Sequence, residues 1–283
     1  MKTTFSLTAA WNGARRISMG LGLALAVAAL HLNATAQVNL GTANNYGVLA
    51  GSTVVNNTGP TVINGGGVGP GDVGLYPGTS IVGFPPGTVT PPGTIQAASG
   101  ATLTAQNDLK TAYNVAAGLA PTANLTGTDL GGLTLTPGVY FFSSSAGLTG
   151  TLTLNDQGNP DAVFVFQIGS TLTTASSSSV VTENNGSPTT PDISVFWQVG
   201  SSATLGSSSI FEGNILALTS ITADTGATVD GRLLARNGEV SLYDNIINVP
   251  AAEPVPDTGS TLLLLGSGLA ALFGFGRRFS CPA

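Results

Sequence analysis

Thr151-Leu-Thr-Leu-Asn-Asp156, Thr171-Leu-Thr-Thr-Ala-Ser176, Ser202-Ala-Thr-Leu-Gly-Ser207, Ser220-Ile-Thr-Ala-Asp-Thr225 and Glu239-Val-Ser-Leu-Tyr-Asp244 are five versions of one segment. Their starts lie 20, 31, 18 and 19 residues apart, and a polar insertion, Thr182-Glu-Asn-Asn-Gly-Ser-Pro-Thr-Thr-Pro191, accounts for the long interval. A period near 20 with alternating apolar residues marks one coil of a β-solenoid. Because side chains alternate across a strand, each segment sorts into two faces. Leu152, Leu172, Ala203, Ile221 and Val240, followed by Leu154, Thr174, Leu205, Ala223 and Leu242, point inward. Thr151, Thr171, Ser202, Ser220 and Glu239 form one outward column, and Thr153, Thr173, Thr204, Thr222 and Ser241 the next. Coils about 4.8 Å apart, with alternate residues about 6.7 Å apart along each strand, would set these hydroxyls in a flat grid.

Two further echoes lie between the ladder segments: Phe166-Gln-Ile-Gly-Ser170 with Trp197-Gln-Val-Gly-Ser201, and Glu212-Gly-Asn-Ile-Leu-Ala217 with Asp230-Gly-Arg-Leu-Leu-Ala235. Upstream, Gly47-Val-Leu-Ala50, Ser52-Thr-Val-Val55 and Thr61-Val-Ile63 read as the first solenoid strands. Gly69-Pro-Gly-Asp-Val-Gly74 fits a dinucleotide-loop pattern by spacing, but no helical periodicity follows it, so it reads as a turn. From Thr104 to Gly118 the period changes, with Leu109, Ala112, Tyr113 and Ala116 on one helical stripe. Thr104 is a candidate N-cap, and Gly118 followed by Pro121 closes the helix. Leu216 and Leu234, which alternate to the outside of their strands, offer the surface for that stripe. The helix would cover one flank and leave the Thr/Ser flank open.

Both ends of the 283 residues read as processing signals. Arg15-Arg16, the apolar run Met19 to Leu30 and Ala34-Thr-Ala36 describe a secretory signal peptide over residues 1–36, and the arginine pair also fits twin-arginine export. Residues 37–250 then contain no histidine or cysteine, since His31 and Cys281 fall outside them. This removes disulfide staples, zinc ligands and a Ser-His-Asp triad. Three cations, Lys110, Arg232 and Arg236, stand against twelve carboxylates, a formal charge of −9 that argues against nucleic acid as a partner. Asp156, Asp161, Asp192, Glu212, Asp224 and Asp230 are the carboxylates to weigh for glycoside cleavage, but most fall at turns or in the outward set. No cofactor or metal is expected.

Residues 251–283 begin with prolines and continue as Val255-Pro-Asp-Thr-Gly-Ser-Thr261, an apolar run from Leu262 to Phe275, and Arg277-Arg278. That order resembles the PEP-CTERM sorting signal, and the resemblance implies a membrane-bound sorting transpeptidase, removal of the tail, and delivery to the surface or an exopolysaccharide matrix. A plain anchor is the alternative, although about 14 apolar residues is short for a span that needs about 20.

Val48-Leu-Ala-Gly-Ser-Thr53, Thr136-Pro-Gly-Val-Tyr140, Phe211-Glu-Gly-Asn-Ile-Leu-Ala217 and Gly231-Arg-Leu-Leu-Ala-Arg236 together resemble the microbial ice-binding family with a discontinuous β-solenoid domain. The resemblance implies an all-β, right-handed irregular β-solenoid of triangular cross-section, with one long helix packed along one flank, over residues 37–250. It also implies an ice crystal surface as the partner of a monomeric, secreted or surface-attached, non-enzymatic chain. The family's Thr-Ala/Gly-x-Thr/Asn motif is met in full by Thr222-Ala-Asp-Thr225, while Thr204-Leu-Gly-Ser207, Thr173-Thr-Ala-Ser176 and Ser241-Leu-Tyr-Asp244 depart from it. Ser207 and Thr225 thereby join the ladder residues as candidate ice contacts. An extracellular adhesion module that holds polysaccharide or cells on the same scaffold is the competing reading.

Overall fold

The computed structural model describes residues 38–65, 70–159, 161–183 and 194–250. The expected signal peptide, the tail and most of the Thr182–Pro191 insertion lie outside these residues. Two N-terminal coils comprise β1 (Tyr46–Ala50), β2 (Thr53–Thr58), β3 (Val62–Asn64), β4 (Asp72–Leu75), β5 (Ser80–Val82), β6 (Thr88–Val89) and β7 (Ile95–Ala97). The helix α1 (Gly100–Gly118) follows. Next come β8 (Ala123–Asn124), β9 (Thr134–Leu135), β10 (Gly138–Phe142), β11 (Ala146–Leu148), β12 (Thr151–Asn155), β13 (Val163–Ile168), β14 (Leu172–Thr174) and β15 (Ser179–Glu183). The final coils hold β16 (Ser194–Val199), β17 (Ala203–Leu205), β18 (Ile210–Ala217), β19 (Ile221–Ala223), β20 (Thr228–Ala235), β21 (Val240–Tyr243) and β22 (Ile246–Asn248).

All recorded strand pairs are parallel, and each full coil contributes three flat runs, so the stack has three walls. The first is a sheet of seven strands in the order β11-β14-β17-β19-β21-β2-β5. A fifteen-stranded sheet makes the other two by bending round a corner. Its eight-residue strands β18 and β20 pass through the bend at Gly213 and Gly231, where φ is +114° and +157°. A Cβ on Gly231 would lie 2.0 Å from the Gly213 carbonyl oxygen, so the stacked corner admits only glycine. On one side of the bend, β12, β15, β22, β3 and the first halves of β18 and β20 form the second wall. On the other, β10, β13, β16, β1 and the second halves form the third.

The order of strands is not the order of sequence. β21 is followed by β2, so the N-terminal coils stack on the last coil made. Helix α1 resolves the geometry: nineteen residues at 1.5 Å give about 28 Å, and six spacings of about 4.8 Å give about 29 Å. It therefore carries the chain from one end of the stack to the other. Its buried stripe, Ala105, Leu109, Ala112, Tyr113 and Ala116, packs in one cluster with Leu49, Val165, Phe196, Leu216 and Leu234 of the third wall. The surface expected from Leu216 and Leu234 is the one used.

The helix begins earlier than its sequence period suggests. Ser99, not Thr104, is the N-cap: its hydroxyl accepts the Thr102 N–H at 3.1 Å, and the Thr102 hydroxyl accepts the Ser99 N–H at 3.0 Å. Thr104 sits inside the first turns and donates to the Gly100 carbonyl. At the other end Gln167 donates to the carbonyls of Ala116 and Leu119, which would otherwise lack partners at the helix terminus.

The repeated segments are stacked neighbours. Phe166 pairs with Trp197, and their rings stack at 3.8 Å with 6° between planes, within a column that runs from Tyr140 to Phe211. Glu212 pairs with Asp230, and Leu216 with Leu234. The dinucleotide-like spacing ends in β4 rather than a helix, in keeping with a turn.

Candidate functional site

In the first wall the inward residues Leu172, Ala203, Ile221 and Val240 are fully buried and in register, which fixes every alternate residue outward. One outward column runs through Thr171, Ser202, Ser220 and Glu239. The next runs through Thr173, Thr204, Thr222 and Ser241. At the corner beyond them, the Ser177 N–H donates to the Ser207 carbonyl and the Ser208 N–H to the Thr225 carbonyl, both at 2.9 Å. This sets Ser176, Ser207 and Thr225 in a third row. The corner is closed by left-handed residues, Ser177 and Ser208 at φ 58° and 57° and Gly226 at 74°.

Thr151 and Thr153 do not belong to this grid. They lie on β12 of the second wall, opposite Ser179 and Val181. The rung beside β14 is β11, with Ala146 opposite Leu172 and Gly147 opposite Thr173. The first and second walls both alternate apolar and polar residues, so the alternation locates a strand without saying which of these two walls it joins. The grid also continues where the sequence reading did not extend it, onto β2 and β5, adding Thr53, Val55, Ser80 and Val82. A signal for this exists: Val48-Leu-Ala50 is a third copy of the Ile215-Leu-Ala217 and Leu233-Leu-Ala235 segments, and it pairs with the latter.

The two columns differ in how their hydroxyls are used. In the first, Ser145 and Thr171 bond each other at 2.8 Å, Ser202 Oγ accepts the Ser220 N–H, and Ser220 Oγ accepts the Glu239 N–H. Glu239 accepts from Ser241 at 3.1 Å and Thr53 at 3.4 Å, which occupies the one buried hydroxyl of the second column. Thr173, Thr204 and Thr222 make no side-chain hydrogen bond among the described residues, and each is at least partly exposed. Their hydroxyls are held in position by a β-branched side chain on a rigid strand and are available to water.

The second wall has a different chemistry. Thr90 donates to Asn64, Asn64 to Asn248 and Asn248 to Asp230, at 2.9, 3.0 and 2.7 Å. Glu212 stands next in this ladder, and burial together with the Asp230 charge pushes its carboxyl up to about 7. Of the carboxylates weighed for glycoside cleavage, this is the pair that strand register brings together. Asp156 and Asp224 are placed at turns, and Asp192 lies outside the described residues. No group of three or more His, Cys, Asp or Glu residues able to hold a metal is found among the described residues.

Residues 48–248 match the Ice-binding-like family profile. An ice-binding protein of Nostoc sp. (strain HG1) is 54% identical over 248 residues, covering 85% of this chain and 87% of the relative. The chain belongs to the ice-binding-like family. Within that family, the ice-binding protein of Leucosporidium sp. (strain AY30) is 32% identical over 239 residues, 78% of this chain and 86% of its own. A solved ice-binding protein from the Antarctic ascomycete Antarctomyces psychrotrophicus superposes with a TM-score of 0.68 at 42% identity, covering 76% of this chain and 98% of the other. One from an Antarctic biological consortium gives 0.67 at 44%, covering 75% and 90%. The fold is thus the β-solenoid of ice-binding proteins. Beyond the domain, residues 254–279 match the VPDSG-CTERM motif, a sorting signal of the PEP-CTERM type.

Proposed function

We propose that this chain is an exported, non-enzymatic ice-binding protein that adsorbs to ice through the first wall and so inhibits ice growth and recrystallisation. The observation that carries the site is the column Thr173, Thr204 and Thr222, whose hydroxyls have no protein partner among the described residues while their neighbours are locked to one another. A threonine offers a hydroxyl to the water lattice and a methyl that orders water beside it. Its fixed χ1 keeps successive hydroxyls about 4.8 Å apart without ordering on contact, which lowers the entropy cost of docking. Ser207 and Thr225 extend the contact at the corner, and Thr171, Ser202, Ser220 and Ser241 hold the grid flat. Thr151 and Thr153 have no part in this wall.

In the same reading, residues 1–36 direct export, residues 37–250 form the ice-binding domain, and residues 251–283 are a tail recognised by a sorting transpeptidase that leaves the protein at the envelope or in an exopolysaccharide matrix. Ice-affinity partitioning and a recrystallisation assay test the function directly. Exclusion of the protein from slowly growing ice, with polysaccharide capture instead, would transfer the scaffold to an adhesion role.

A further inference from the structure

The second wall carries its own outward column at the corner it shares with the first. Strand register sets Ser179, Ile210, Thr228, Ile246, Val62 and Thr88 side by side on successive coils. Ile210 and Ile246 are 52% and 46% exposed, so two large aliphatic side chains stand open to solvent within one column. Thr228 and Thr88 make no side-chain hydrogen bond among the described residues. Five of the six are β-branched, none is charged, and their spacing is the same coil repeat as in the first wall. The column is also continuous with that wall, since Ser207 and Ile210, and likewise Thr225 and Thr228, are separated by one turn of the same corner.

The other half of the second wall decides what can dock there. Glu212 and Asp230 lie in its outer ladder, and Glu183 ends β15 on the same surface. A second copy docking two-fold on this wall would bring those carboxylates against their symmetry mates, a like-charge arrangement with no cation among the described residues of the wall to offset it. An uncharged, periodic surface has no such conflict. We infer that the corner-side column of the second wall is a second ice-contacting strip, inclined to the first, so that one molecule engages two differently oriented lattice planes. This rests on the reading of the first wall as ice-binding.

The test is adsorption of the fluorescently labelled full chain to a single-crystal ice hemisphere, comparing wild type with Thr222→Tyr on the first wall and with Thr228→Tyr combined with Ile246→Tyr on the second. The wild type is expected to illuminate two sets of planes, and the double variant to lose one set while keeping the other. Ile210→Lys, which adds charge with little bulk, should lose the same set and guards against misfolding of the double variant. A pattern unchanged by both second-wall variants overturns the strip and leaves the first wall standing. Full retention of every plane by Thr222→Tyr instead removes the first-wall reading. A wild-type dimer in sedimentation that Ile210→Lys dissolves would overturn the inference in favour of a second copy.

Discussion

Replacing Thr222 by tyrosine places a ring at the middle of the first wall, between Thr204 and Ser241 in its column and next to the corner row that holds Thr225. Thr222 points outward on β19 while Ile221 and Ala223 fill the core, so the ring displaces no packed atoms. Stability should change by no more than about 1 kcal/mol. The effect on ice is larger. The ring holds the lattice away from Thr222 itself, Thr204 and Thr225, and three neutral hydroxyl contacts at about 1 kcal/mol each amount to about 3 kcal/mol. That corresponds to roughly a hundredfold rise in the concentration needed for half-maximal recrystallisation inhibition. Asn114→Tyr, on the exposed side of α1, should leave that concentration unchanged. A Thr222→Tyr protein with wild-type melting and wild-type inhibition would refute the assignment of this wall.

Three other outcomes follow from the packing and charge. Leu234→Ala opens a cavity between α1 and the third wall at a fully buried site, and should lower the unfolding free energy in urea by about 2 to 5 kcal/mol while ice partitioning of the folded fraction persists. Glu212 has its carboxyl raised from an ordinary 4.5 to about 7, so the native state holds a proton that the unfolded chain releases. Its stabilising contribution is complete below pH 4.5 and disappears as pH rises through 7, by up to about 3 kcal/mol, and Glu212→Gln should flatten that part of the urea-midpoint profile relative to wild type. Truncation after Pro250 should yield a secreted protein with full ice activity, because every strand among the described residues ends by Asn248; mass spectrometry of the native envelope form finding an intact Ala283 would contradict removal of the tail.

What the sequence reveals and what it hides have separate physical origins. Alternation and a near-20 period are local properties of each coil, which is why the solenoid, the inward set from Leu172 to Leu242, and the helix stripe could be read directly. The wall to which a strand belongs depends on how many residues each corner consumes. Counted between register partners, the corner from Leu242 to Ile246 is one residue shorter than that from Ala223 to Thr228, and the step from Ser145 to Thr171 is 26 residues. Thr151-Leu-Thr-Leu154 therefore imitates a rung that Ser145-Ala-Gly-Leu148 occupies. The helix start was hidden by chemistry, since Ser99 and Thr104 are both good caps and only the reciprocal bonds with Thr102 separate them. The Glu212 and Asp230 echo was visible as a repeat, but that it stacks two carboxyls is a matter of register.

The junction of β21 with β2 has a consequence for the order of folding. Most rungs close loops of about 20 residues and can form as the chain grows. The contacts across this junction, such as Asn64 with Asn248 and Arg232 with the Asn44 carbonyl, join residues 184 and 188 positions apart. Loop closure of that length costs more entropy than any neighbouring step, so the central coils should assemble first and the N-terminal coils should dock last. Hydrogen exchange should then report β1 to β7 opening at lower free energy than β13 to β20. A nascent chain halted before β20 has nowhere to place β1 to β7, and the two ends of the first wall become continuous only when the last coil is complete.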